Sequence, residues 1–71
     1  MKHVKYQKIK ALIEERIVEL DSIIDELNQE ISYNRIYKPG EVDHSIEKKR
    51  EYDLERSVLD DMSRIYNQYN L

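Results

Sequence analysis

One pair of residues in this sequence has the spacing of a metal site: Glu41 and His44 form a Glu-x-x-His pattern. Residues three apart share one face of a helix, and two-metal sites inside four-helix bundles use this spacing to bring a carboxylate and an imidazole together. Such a site also needs carboxylates from the neighbouring helix, but the main apolar row of the first half of the chain carries only Ile and Leu. We therefore interpret Glu41 and His44 as ordinary polar residues at the start of a helix, and we predict no metal and no cofactor.

Groups that would support other kinds of catalysis are absent or lack a setting. The chain has no Cys, so it has no thiolate nucleophile and no Cys-based zinc site, and its single Gly rules out a glycine-rich phosphate loop. A chain of 71 residues is too short to enclose a dry, well-supported catalytic pocket. Glu51 and Glu55 lie close to the apolar row, where we expect them to form salt bridges with Lys48, Arg50 or Arg56. The sequence thus predicts a protein without enzymatic activity.

The amino-terminal end of the chain is basic. Residues 1–13 carry a net charge of +4, because they contain four lysines and no acid. Clustered lysines neutralise the phosphates of nucleic acids, so the candidate nucleic-acid-binding residues are Lys2, Lys5, Lys8 and Lys10. Against this reading, Tyr6 is the only aromatic residue among them, and the whole chain has a net charge of −3. We keep a nucleic-acid-binding dimer as the alternative function.

Pro39 and Gly40 are the only proline and the only glycine, and they divide the chain into two stretches free of helix breakers. Proline cannot continue a helix, and we expect Gly40 to adopt the positive φ that reverses the chain. We predict a single all-α domain with three parts: a helix over about 4–36, a turn over 37–42 and a helix over about 43–69. Asp43 or Ser45 is expected to cap the second helix, and the two helices form an antiparallel hairpin.

The apolar residues of the first helix repeat with the period of a coiled coil. They alternate at spacings of four and three: Ile13, Ile17, Leu20, Ile24, Leu27 and Ile31. A period of about 3.5 residues places them in one continuous row that another helix must cover. The second helix supplies a matching row of residues that are seven apart: Tyr52, Leu59 and Tyr66.

Folding the chain at the Pro39-Gly40 turn determines which residues oppose each other. Partner positions then add up to about 79, so that Leu20 lies opposite Leu59. On the same basis, we expect three further pairs: Ile13 with Tyr66, Ile17 with Met62, and Leu27 with Tyr52. The apolar rows of the two helices therefore match over most of the length of the hairpin.

A second apolar row on the second helix, made of Leu54, Val58 and Ile65, lies beside the first. A two-helix hairpin has one internal interface, so it cannot bury this row as well as the flanking Ile9 and Ile23 of the first helix. Two-fold homodimers are the commonest oligomers, and two hairpins side by side give each helix two neighbours. We therefore predict a homodimeric antiparallel four-helix bundle.

The carboxy-terminal end places Tyr66 and Tyr69 three residues apart, and tyrosine suits protein interfaces because it combines a large apolar ring with a polar tip. These rings either pack inside the bundle or recognise another protein. On the second interpretation, the candidate partner-binding residues are Leu54, Val58, Ile65, Tyr66, Tyr69 and Leu71. The predicted function is a small, non-catalytic protein–protein interaction or regulatory module that acts through a helical-bundle surface, with a second copy of itself and another protein as partners.

The sequence contains no run of about 18 apolar residues, and its basic amino terminus lacks the apolar segment of a secretory signal. We therefore expect no membrane partner and a cytoplasmic location. No motif in the sequence assigns the chain to a known family.

Overall fold

The computed structural model describes the backbone of residues 2–69 and the side chains of residues 5–68. It contains two α-helices, α1 (Lys2–Tyr37) and α2 (Val42–Tyr69), joined by a 3₁₀ turn over Pro39–Glu41. The helices pack against each other as an antiparallel hairpin that measures 54 × 14 × 12 Å. Since the described residues contain no β-strand, the predicted all-α hairpin is confirmed.

The chain reverses through the 3₁₀ turn and not through a left-handed glycine. Lys38 leaves the helical region with φ −141° and ψ 64°, because the following proline disfavours helical dihedral angles there. Its N–H still donates to the Asn34 carbonyl at 2.8 Å, and the Glu41 N–H donates to the Lys38 carbonyl at 2.9 Å to close the turn. Gly40 has no positive φ, so our expectation that it reverses the chain is wrong.

A single row of α1 lies at the centre of the helix–helix interface. Its members are seven residues apart and become buried beyond the first: Tyr6, Ile13, Leu20, Leu27 and Asn34. Leu20, in the middle of the row, is 0% exposed. Ile17 and Ile24, which we expected in the same row, are only half-buried, whereas Ile31, seven residues beyond Ile24 and nearer the turn, is buried as predicted.

The buried row ends near the turn in a polar pair. Asn34 and Ser45 are both buried, and Asn34 Nδ2 donates to Ser45 Oγ at 3.0 Å. Their positions add up to 79, so this end of the hairpin has the register predicted from the turn. Asp43 and Ser45, our candidate caps for α2, lie inside the helix instead, because α2 begins at Val42. In the described part of the chain, every buried side-chain nitrogen and oxygen has a hydrogen-bond partner.

Candidate functional site

Two long surfaces lie on either side of the buried row, and the spacing of residues along each helix assigns them to one or the other. We call one of them the apolar flank: Ile9, Leu12, Arg16 and Ile23 of α1 with Glu55, Val58, Met62 and Ile65 of α2. We call the other the ionic flank: Ile17, Asp21 and Ile24 of α1 with Lys49, Asp53 and Arg56 of α2. The ion pairs between the helices confirm this division, since Arg16 joins Glu55 on the first flank and Asp21 joins Arg56 on the second.

The apolar flank presents large hydrophobic side chains to solvent. Leu12 is 65% exposed, Val58 51% and Ile65 53%, and Ile9 and Met62 are exposed as well. These residues come from both helices and concentrate in the half of the hairpin away from the turn. Contiguous apolar patches of this kind mark interaction sites in water-exposed proteins.

At the open end of the hairpin, the apolar flank meets a cleft of about 250 Å³. Four side chains line it: Tyr6, Met62, Ile65 and Tyr66. The rings of Tyr6 and Tyr66 are in edge-to-face contact, with centroids 5.6 Å apart and planes at 65°. The ring of Tyr66, which we expected opposite Ile13, therefore contacts Tyr6, seven residues or about two turns closer to the start of α1. Met62, which we expected opposite Ile17, lines this cleft on the apolar flank, whereas Ile17 lies on the ionic flank.

Arg16 and Glu55 form a two-pronged ion pair across the apolar flank. Arg16 Nε donates to Glu55 Oε2 at 2.7 Å, and Nη2 donates to Oε1 at 3.3 Å. The hydrogen bonds from Arg16 hold the pKa of the Glu55 carboxyl below its usual range, while the bonds to Glu55 and then to Glu19 raise the pKa of Arg16. We had expected Glu55 to pair with residues of its own helix; its position beside the α2 row indicates a partner across the interface instead.

The ionic flank has a different surface. Arg56 Nε donates to Asp21, and this hydrogen bond raises the pKa of Arg56. Lys49 Nζ lies 2.8 Å from Asp53 on the same flank. The isoleucines beneath these charges are half-buried, and none of the large hydrophobic side chains that the described residues expose lies on this flank.

The structure places the six predicted partner-binding residues in different settings. Val58 and Ile65 lie on the apolar flank, and half-buried Tyr66 lines the cleft beside them. Leu54 is 68% exposed and points outward from the hairpin at the edge of that flank. The side chain of Tyr69 and the whole of Leu71 lie outside the described residues.

Three exposed hydrophobic residues of the apolar flank were missing from the predicted partner-binding set: Ile9, Leu12 and Met62. Ile9 and Leu12 are three apart, which places them on one side of α1, and this spacing is visible in the sequence. The burial of the central row, which leaves these residues outside, becomes visible only in the folded hairpin.

The predicted nucleic-acid-binding lysines do not form one patch in the described part of the chain. Lys5 and Lys8 are exposed on neighbouring sides of α1. Lys10 is half-buried on another side of the helix, where its Nζ lies 3.9 Å from Glu14 Oε1. The side chain of Lys2 lies outside the described residues.

Glu41 and His44 are both exposed, and Glu41 belongs to the turn, so the pair does not share a helix face. Among the residues that the structure describes, no group of three or more His, Asp or Glu side chains could hold a metal ion. Over the same residues, neither helix combines the length and apolarity that crossing a membrane requires. No protein-family model, curated protein or solved structure matches this chain.

Proposed function

We propose that this chain is a non-catalytic protein–protein interaction module that associates with a second copy of itself into a homodimeric four-helix bundle. The observation that supports this most strongly is the apolar flank, where Leu12, Val58 and Ile65 are each more than half exposed. A partner helix pair that covers this flank would give each helix the second neighbour that the lone hairpin lacks.

The energetic reason for association is the burial of apolar surface. Full burial of a Val, Leu or Ile side chain stabilises by about 1.5–3 kcal/mol relative to full exposure. Leu12, Val58 and Ile65 have roughly half of that gain still open to them. A small domain with one buried row and no disulfide gains stability from such an interface, since a small core by itself supplies little.

A partner protein other than a second copy would meet the same side chains. An amphipathic helix could lay its apolar face along the flank, with Val58 and Ile65 as contacts and Tyr66 at the cleft. Self-association and binding of such a partner would then compete for the apolar flank. This competition is how the module would regulate the availability of its partner.

Melting at increasing protein concentration tests the proposal. A two-chain protein gains stability by mass action, so the melting temperature should rise by roughly 5–10 °C between 1 and 100 µM protein. Replacement of one valine by serine provides a matched pair of variants. Val58→Ser should reduce this dependence, while Val18→Ser, at an even more exposed valine on the outer side of α1, should leave it unchanged. A melting temperature that does not depend on concentration would contradict self-association.

We also propose a second function, nucleic-acid binding through the basic amino-terminal end, which the exposure of Lys5 and Lys8 on neighbouring sides of α1 favours. Phosphate contacts of this kind weaken steeply with salt. Fluorescence anisotropy with labelled RNA and DNA duplexes at low salt should then show binding that Lys5→Glu abolishes. No change in anisotropy with either duplex at low salt would exclude this second function.

A further inference from the structure

We infer that the second copy packs its apolar flank on the same flank of the first, with the two turns at opposite ends of the bundle and a two-fold axis at the level of Met62. This inference rests on the proposed self-association and adds its geometry. It pairs Leu12 with Ile23 of the second copy, and Val58 with Ile65 of the second copy.

The residues of α1 support one position for the axis. In a two-fold contact between antiparallel copies of a helix, residue i meets residue j and j meets i, so facing positions have a constant sum. Leu12 and Ile23 add up to 35, and so do Lys5 and Glu30, which lie on the same flank and carry opposite charges. A single axis therefore matches an apolar pair and a charge pair.

At the centre of this α1 contact lie Arg16 and Glu19, whose positions also add up to 35. Within one copy they form an ion pair of 3.1 Å. About the axis, each arginine faces the glutamate of the other copy, so opposite charges meet where the chains cross.

The residues of α2 give an independent position for the same axis. Val58 and Ile65 add up to 123, which places Met62 closest to its own copy. The midpoints are thus 17.5 on α1 and 61.5 on α2, and they add up to 79. This equals the sum of the hydrogen-bonded pair Asn34 and Ser45, which sets the register at the turn end of the hairpin.

The other arrangements fit less well. With both turns at the same end, α1 would face α2 of the second copy, where Glu30 would lie near Lys48 but Glu26 would lie within about 3 Å of the level of Glu51, a contact between like charges. Contact through the ionic flank would cover Asp21 and Arg56, which already satisfy each other, and the described residues offer no exposed large apolar side chain there.

The area of the proposed contact is that of a weak, reversible dimer. The α1 helices overlap from Lys5 to Glu30, about 39 Å at about 1.5 Å per residue. Each helix takes about half of the 14 Å width, and the α2 helices overlap only over residues 54–69, about 24 Å, because Tyr69 lies level with Leu54 of the second copy. The contact therefore covers about 440 Å² on each copy, and the total of about 880 Å² lies at the low end of specific interfaces.

Engineered cysteines test the geometry cleanly, because the chain has no Cys of its own. Met62→Cys should form a disulfide-linked dimer on mild oxidation, since its two copies differ by about 1.5 Å along the helix axis. Leu54→Cys is the matched control on the same helix, because its two copies lie about 22 Å apart. We expect the cross-linked fraction of Met62→Cys to exceed that of Leu54→Cys at least about tenfold.

A mixture of two variants sharpens the test. Val58→Cys and Ile65→Cys should each cross-link poorly alone, with about 10 Å between copies, but they should cross-link with each other when mixed. Absence of both the Met62→Cys dimer and the mixed dimer, in variants that sediment as dimers, would overturn this arrangement and leave self-association intact. A single-chain mass with full helicity would overturn both proposals.

Discussion

The two flanks of the hairpin share the same helices and the same turn, and each carries one arginine–carboxylate pair between α1 and α2. They differ in what surrounds that pair. On the ionic flank, further charges lie over half-buried isoleucines, whereas on the apolar flank Leu12, Val58 and Ile65 remain exposed. An ion pair between the helices therefore does not determine whether a flank needs a further binding partner. The amount of apolar surface exposed around the ion pair determines this.

The buried row between the flanks holds the two helices together. A substitution in this row should therefore have the largest effect on the free energy of unfolding. Leu20 is completely buried at its centre. Leu20→Ala leaves a cavity there and should reduce the free energy of unfolding by about 2–5 kcal/mol. Urea unfolding followed by circular dichroism measures this loss. A decrease below 1 kcal/mol would show that the helices are not held together at this row.

Two neighbouring residues on opposite flanks allow a direct comparison. Met62→Asp places a charge at the proposed dimer centre and should weaken dimerisation at least about 100-fold, because an unpaired charge is costly to bury. Ser63→Asp makes the same charge change one residue along α2, on the ionic side, and should alter the dissociation constant less than about threefold. Analytical ultracentrifugation measures both constants. Equal effects from the two variants would remove the distinction between the flanks.

The buried pair Asn34 and Ser45 lies at the turn end of the row that separates the two flanks, so substitutions there test how much this end contributes to stability. Ser45→Ala leaves the buried amide of Asn34 without its acceptor and should cost about 1–3 kcal/mol of unfolding free energy. The double variant Asn34→Leu/Ser45→Ala removes both polar groups, so it should recover most of that loss. Chemical denaturation of the three proteins measures this. A double variant less stable than Ser45→Ala would show that the hydrogen bond is not the source of the cost.

The turn belongs to neither flank. A substitution there should therefore stabilise the folded hairpin without changing the affinity between two copies. Gly40 has no positive φ, and a Cβ added there meets nothing within 4 Å. Gly40→Ala should raise the free energy of unfolding by about 0.4–1 kcal/mol, because it restricts the unfolded chain. The dimer dissociation constant should stay the same. Destabilisation on thermal or urea unfolding would contradict the open geometry of the turn.

The smallest expected effect concerns Glu55, whose carboxyl pKa is lowered by its hydrogen bonds with Arg16. Because the pKa is lower in the folded chain, this pair stabilises above the ordinary glutamate pKa of about 4.3 and loses its effect as the pH falls through the folded value. Glu55→Gln should therefore show a shallower loss of stability between pH 5 and pH 3 than the parent protein. Glu15→Gln, at an exposed acid outside the pair, should not. Identical pH profiles for Glu55→Gln and the parent would show that the pair is too solvated to matter.

The fold followed from the sequence because two local signals agree: the heptad spacing around Leu20 and the single break at Pro39. The chain reversal differed in detail, since the residue before a proline leaves the helix and Gly40 needs no unusual dihedral angle. The division of the apolar residues into a buried row and two flanks could not be predicted. A period of about 3.5 residues shows which side of α1 faces the other helix, but it does not show which residues lie at the centre of that side. The distance of a residue from this central row determines its burial, so Ile17 is half-buried and Leu12 is exposed.

The ion pairs between the two helices could not be predicted from the sequence either. Arg16 and Glu55 are 39 positions apart, and their meeting depends on the side of each helix that faces the interface. For the candidate site, Val58 and Ile65 were predicted as exposed contacts from their spacing alone. Their continuity with Leu12 required the three-dimensional hairpin.

Sedimentation equilibrium of the unmodified chain at micromolar concentration tests the central claim, that the apolar flank is covered by a second copy in solution. We expect a mass of about twice the 8.7 kDa of one chain, with full helicity in the same sample. A mass of 8.7 kDa at undiminished helicity would show that the hairpin is stable with this flank open to water, and it would contradict the account.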